Sequence, residues 1–175
     1  MKKLLIPALL SALIVGCSST PIPDEGGAPV ESRNVSSVNA MGVGPNGLPR
    51  ELTEAGSKLA QRSIYFDLDK YEVKAEYSDL VATHAKYLNK NRGFKVLLQG
   101  NTDERGSREY NLSLGQKRAD AVKRSLSLLG VGEVQVESVS LGEEKPKNEG
   151  HDEASWSENR RVDILYKAAD GRGEF

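Results

Sequence analysis

Cysteine is almost missing from these 175 residues: Cys17 is the only one, so no internal disulfide framework can staple the chain. Histidine is nearly as scarce. His84 and His151 alone leave little material for a zinc site, and no cofactor is expected. An excess of one charge is lacking too. The 24 basic and 25 acidic residues give a formal charge of −1, with no basic field to draw nucleic acid. No nucleophile stands beside a positioned base. The one catalytic-looking pair, His151 with Asp152, falls in a loop without a partner nucleophile, so an enzyme is not expected. A long hydrophobic run is absent as well. The longest, Leu4 to Val15, is interrupted by Pro7 and Ser11 and is too short for a comfortable membrane span.

That run follows Lys2 and Lys3 and has the form of a signal-peptide core, which assigns residues 1–16 to a removed leader. It ends Ile14-Val15-Gly16-Cys17-Ser18, which resembles a bacterial lipobox. That resemblance implies that Cys17 is acylated, palmitate included, and becomes the mature first residue. Each buried acyl methylene contributes about 0.8 kcal/mol, so several chains anchor firmly. Ser18 rather than Asp after the cysteine implies delivery to the outer membrane, on its periplasmic face. Residues 17–55 are then the lipidated cysteine and a linker. From Ser18 to about Arg50 the chain is rich in Ser, Pro, Gly and Asn and too poor in apolar surface to offset its entropy, so it is expected to be disordered. About 35 such residues span roughly 30–35 Å on average and about 115 Å fully stretched.

Residues 56–168 carry the periodic patterns of one folded domain, with a frayed tail at 169–175. Leu52 to Gln61 fits a short helix or an extended lead-in. Ser63–Phe66 reads as a strand. Asp67 and Asp69 then resemble the start of a calcium loop, but Tyr71 and Glu72 stand where an acid and a glycine belong, which excludes calcium. Val73–Asn91 reads as a helix with Tyr77, Leu80, Val81, His84 and Leu88 on one face, His84 being a core or boundary residue. Phe94–Leu98 is a buried strand and Val134–Leu141 a third. Asp152 or Ser155 caps a short helix running toward Asn159. The last strand follows Arg160 and Arg161. Strands alternating with helices give an α/β layered domain.

The chain is organised around Gln99 to Leu129. A polar loop, Gly100 to Gly106, precedes a helix expected to start near Asn111 or Ser113, where Ser113 and Gln116 have capping-box spacing. Its apolar stripe is Leu114, Ala121, Val122, Leu126 and Leu129. Arg118 interrupts that stripe on the inward face. A guanidinium is costly to bury unpaired and therefore needs an anion. Asp103 and Glu104 lie in the preceding loop. Either an internal ion pair shapes the loop, or Asp103 and Arg118 stay apart and hold a ligand carrying both charges. Arg160 and Arg161 read as a second anion site or as partners of nearby acids at a strand start. Arg105 and Arg108 read as solvated loop charges that could touch a glycan or a protein.

Three stretches, NTDERG, EYNLSLGQKRA and GHDEASWSENRRVDILY, resemble the OmpA-like peptidoglycan-binding domain, and most of all its lipid-anchored members in the Tol-Pal system; the likeness runs from Ser63 to Tyr166. It implies an α/β (α+β) sandwich of about four strands with two long helices and a short one on one face. It also implies a pocket for diaminopimelate. In that pocket Asp103 binds the ammonium and Arg118 the carboxylate, Thr102 and Leu114 line the walls, and Phe66 and Asp69 border it. Phe66 reads equally as a core residue, and Asn111 at the helix start is counted with the site. Asn101 stands where many members have histidine. The implied function is non-covalent binding of the peptidoglycan stem peptide by an outer-membrane lipoprotein, tethering membrane to wall in envelope integrity and cell division. The implied partners are peptidoglycan, TolB, other Tol-system and outer-membrane proteins, and the membrane through the lipid. The alternative is a purely structural, protein-interaction lipoprotein.

Overall fold

The computed structural model describes residues 42–175. The leader, Cys17 and the first part of the expected linker lie outside the described residues. Four strands, β1 (Ser63–Tyr65), β2 (Lys95–Asn101), β3 (Val136–Gly142) and β4 (Arg161–Lys167), form one sheet in the order β1-β4-β2-β3. β4 runs antiparallel to both β1 and β2, while β2 and β3 are parallel. The helices are α1 (Ser78–Lys90), α2 (Arg108–Leu128) and α3 (Glu153–Asn159). α2 is the crossover that parallel pairing of β2 with β3 requires.

The period-2 alternation sends one set of side chains inward. Tyr166 pairs with Val96, Ile164 with Leu98, and Val162 with both Gly100 and Ile64, and all of these but the glycine are core residues with 0% exposure. α1 and α2 cover this face through Val81, Ala85 and Leu88 from one and Ala119, Val122 and Leu126 from the other. His84 belongs to the same core, as the helical spacing predicts. Its Nε2–H donates to the Gln61 carbonyl (2.9 Å) and the Tyr166 hydroxyl donates to Nδ1 (2.8 Å), the tautomer that a carbonyl partner demands. Burial lowers its pKa to about 4, so the ring is neutral.

One close approach positions the site. Gly100 in β2 faces Gly115 in α2, and a Cβ on Gly100 would lie far inside contact distance of the Gly115 carbonyl oxygen. Without side chains at this crossing, α2 settles directly onto the end of β2. That brings Asn111, Leu114 and Arg118 over the loop leaving the strand.

The structure corrects three expectations. The linker does not extend to residue 55: Leu48 and Leu52 are 0% and 1% exposed in the core, and Arg62 Nη2 donates to the Leu52 carbonyl. Two buried leucines supply the apolar area that a polar composition conceals. Leu52 to Gln61 is neither a regular helix nor extended: a 3-10 turn at Arg50–Leu52 leads into it and another, Lys58–Ala60, lies within it. The tail at 169–175 is hooked back rather than frayed. Gly173 bridges Lys167, and the Glu174 carboxylate accepts from the Tyr166 amide (2.8 Å) and pairs with Arg62.

Candidate functional site

The loop from Thr102 to Ser107 joins β2 to α2. Ser107, not a residue near 111–113, is the N-cap, its Oγ accepting from the Tyr110 amide (3.2 Å). The helix therefore begins at Arg108, and the expected capping box is interior to it, where Gln116 instead donates to Asp120 (3.0 Å). The earlier start puts Tyr110 and Asn111 in the first turn, beside the loop. At the far end of the chain Asp152 caps α3 as the sequence reading allows, accepting from the Ser155 amide (2.8 Å). α3 is joined to the loop by Trp156, whose Nε1 donates to Glu104 (2.8 Å).

A cavity of about 360 Å³ opens at this junction. Six of the sequence-predicted binding residues line it: Asp69, Thr102, Asp103, Asn111, Leu114 and Arg118. Phe66, the seventh, does not. It is 2% exposed in the core, and its ring lies under the Arg118 guanidinium at 5.3 Å, a supporting contact rather than a wall.

Arg118 is fully buried but does not pair with Asp103 or Glu104. It donates to three backbone carbonyls: Nε to Lys70 (2.8 Å), Nη1 to Asn101 (3.0 Å) and Nη2 to Asp67 (3.1 Å). The guanidinium thus ties the loop after β1 to the end of β2. Burial pulls its pKa down to about 10, with the Asp103 carboxylate pushing it back up, so it remains charged at neutral pH. Five N–H groups minus three carbonyl bonds leave two donors on a side chain that edges the cavity.

Asp103 is held by other arginines. Arg105 grips it from two residues further along the same loop and Arg160 from 57 residues away, the latter through Nη1 at 3.1 Å. Burial pushes the Asp103 carboxyl up, but these bonds outweigh it and hold the carboxyl below the usual range. Arg105 is therefore not the solvated charge expected of it. Arg160 takes the role of partner to acids, Asp103 and Glu153, and Arg161 likewise pairs with Asp163 (2.9 Å). Arg105, Arg160 and Tyr110 also line the cavity; the sequence offers Arg160 only as a second anion site or an ion-pair partner, and nothing local marks Tyr110 or a loop arginine that folds onto its own neighbour. Asp69 is exposed, has a positive φ of 55° and accepts from the Tyr110 hydroxyl. The Thr102 hydroxyl is buried without a partner.

The OmpA family model matches residues 65–160, from the last residue of β1 to the residue before β4. The chain belongs to the OmpA family. Among curated relatives, a peptidoglycan-associated lipoprotein of Pasteurella multocida is 53% identical over 110 residues, 62% of this chain and 73% of that one. One from Pseudomonas putida is 43% identical over 157 residues, 90% and 92% of the two chains. The crystal structure of the peptidoglycan-associated lipoprotein from Burkholderia pseudomallei superposes with a TM-score of 0.66 at 58% identity, covering 67% of this chain and 99% of that one. This OmpA-family chain is thus one of the peptidoglycan-associated lipoproteins. The C-terminal domain of Helicobacter pylori MotB matches at 20% identity with a TM-score of 0.57, over 61% of this chain and 84% of that one, a likeness of fold alone. The family is non-enzymatic, in agreement with the sequence reading.

Proposed function

We propose that this chain is a lipid-anchored outer-membrane protein that binds the diaminopimelate end of the peptidoglycan stem peptide without a covalent bond. One observation carries the reading: a carboxylate and a guanidinium, Asp103 and Arg118, line the same cavity without pairing to each other. Diaminopimelate ends in an ammonium and a carboxylate on one carbon. The carboxylate can accept the two N–H donors that Arg118 has left, in the planar geometry an arginine fork offers. The ammonium meets Asp103, and the unpartnered Thr102 hydroxyl supplies a further polar contact at the wall. The names of the relatives support the same partner.

Calorimetric titration of the chain with a diaminopimelate-containing stem peptide tests this. Removing one partner of a desolvated charge pair typically costs about 2–5 kcal/mol, so Asp103→Asn is expected to weaken binding roughly thirtyfold or more. A stem peptide whose diaminopimelate carboxylate is amidated is expected to bind the unaltered chain poorly. Equal affinity for the free-acid and amidated peptides would remove Arg118 from the site. In the Tol-Pal assignment, TolB docks over the same cavity, and saturating stem peptide weakens TolB binding in the same instrument. Unchanged TolB affinity means separate surfaces.

The anchor in this reading is Cys17, at the end of the Ile-Val-Gly run. Mass spectrometry of the mature amino terminus is expected to find an acylated cysteine as its first residue. An unmodified start at Ser18 rules the anchor out.

A further inference from the structure

Asp103 cannot receive a cation as it stands. A carboxylate offers about four lone-pair sites. On Asp103 the Arg105 amide (3.1 Å) and Nε (3.3 Å) occupy Oδ1, while Arg105 Nη2 (2.7 Å) and Arg160 Nη1 (3.1 Å) occupy Oδ2. A ligand ammonium can reach the carboxylate only by displacing one of these donors.

The two arginines are held very differently. The Arg160 side chain is 7% exposed, and it also donates to the Phe66 carbonyl (3.1 Å) and to Glu153 (2.6 Å). Moving it would leave the buried Phe66 carbonyl without its donor and take one of two arginines from both Asp103 and Glu153. The Arg105 side chain is 32% exposed. Its other neighbours are the Trp156 ring, 4.2 Å from the guanidinium carbon, and Glu153 at 3.5 Å, both on α3 at the surface. These two give the guanidinium a place to rest when it leaves Asp103. Arg160 meanwhile keeps the buried carboxylate compensated.

We propose that Arg105 is a displaceable competitor for the ammonium subsite: its guanidinium fills Asp103 in the free chain and swings away along the Trp156 face when a ligand ammonium takes its place. This rests on the reading of Asp103 as the ammonium acceptor. Arg105 then sets both affinity and selectivity. A ligand whose amine is acylated has no charge with which to displace a guanidinium, so it leaves Arg105 on Asp103. A free amine exchanges one cation for another and keeps the carboxylate saturated.

The test is calorimetry of R105Q against the stem peptide with its diaminopimelate amine free or N-acetylated. If Arg105 covers Asp103 four-fifths of the time, removing it tightens the free-amine peptide on the order of fivefold and leaves the acetylated one unchanged. Unchanged or weaker binding of the free-amine peptide overturns the proposal. Asp103→Asn, run in parallel, separates the two claims. If it binds the free-amine peptide like the unaltered chain, the ammonium reading itself fails. If it binds weakly while R105Q gains nothing, only the competitor is lost. Trp156 is the only tryptophan, so its emission reports directly on the guanidinium stacked over it. In the unaltered chain the free-amine peptide is expected to shift that emission and the acetylated one to leave it still. Should R105Q prove too unstable to titrate, the emission decides, and an identical response to both peptides overturns the proposal.

Discussion

Arg118→Met is expected to lower folding stability by roughly 3–5 kcal/mol, read as a fall in the urea midpoint at unchanged slope. The guanidinium satisfies the carbonyls of Asp67, Lys70 and Asn101 at 2.8–3.1 Å from a fully buried position. A buried acceptor left without a donor costs about 1–3 kcal/mol. Losing the buried Asn101 bond together with the two part-buried ones outweighs the desolvation energy recovered when the charge is removed, because Met fills the space but donates nothing. Arg118→Lys keeps the charge and loses the fork, so its midpoint is expected to fall between the two. Both substitutions are expected to weaken stem-peptide binding, Arg118→Lys less than Arg118→Met, but that loss by itself does not distinguish a contact from a collapsed wall. The amidated peptide does: it removes the ligand's half of the interaction from an intact chain. A midpoint for Arg118→Met equal to that of the unaltered chain would mean that the guanidinium does not bind these carbonyls in solution.

Gly100→Ala is expected to be comparably damaging, about 3 kcal/mol, at the upper end of what overpacking usually costs. The added methyl meets the Gly115 carbonyl oxygen, a backbone atom inside α2 that cannot rotate away as a side-chain end could. Either β2 bends or the helix lifts. Both displace Arg118 and Leu114 relative to the Thr102–Ser107 loop, so the variant is expected to bind the stem peptide weakly even where it remains folded. Gly93→Ala serves as the control, since its nearest neighbour would be the Ala169 Cβ at 3.4 Å. Melting curves that placed both alanine variants together would show that the β2–α2 crossing tolerates a methyl, and that the glycine pair does not set the position of the site.

The sequence by itself determined what depends on local period and local capping. The buried strand at the start of β2, the last strand β4, the helical stripe of α2 with Arg118 inside it, His84 within the face of α1 and Asp152 at the start of α3 all follow from residues a few positions apart. A strand repeats every two residues and a helix every 3.6, and each cap acts within its own turn. The motif stretches brought the family and five of the cavity-lining residues with them, and the wider likeness to that family added Asp69. Tertiary structure decided which groups those side chains meet. Arg118 finds carbonyls 48 and 51 residues earlier instead of the nearby acids, and Asp103 takes one of its two arginines from the junction of α3 and β4. Leu48, Leu52 and Glu174 join the fold although their own neighbourhoods carry no period. Such contacts are set by where the sheet order β1-β4-β2-β3 brings distant strand ends together, and a charged side chain there takes the best-placed partner in space, which no local spacing specifies.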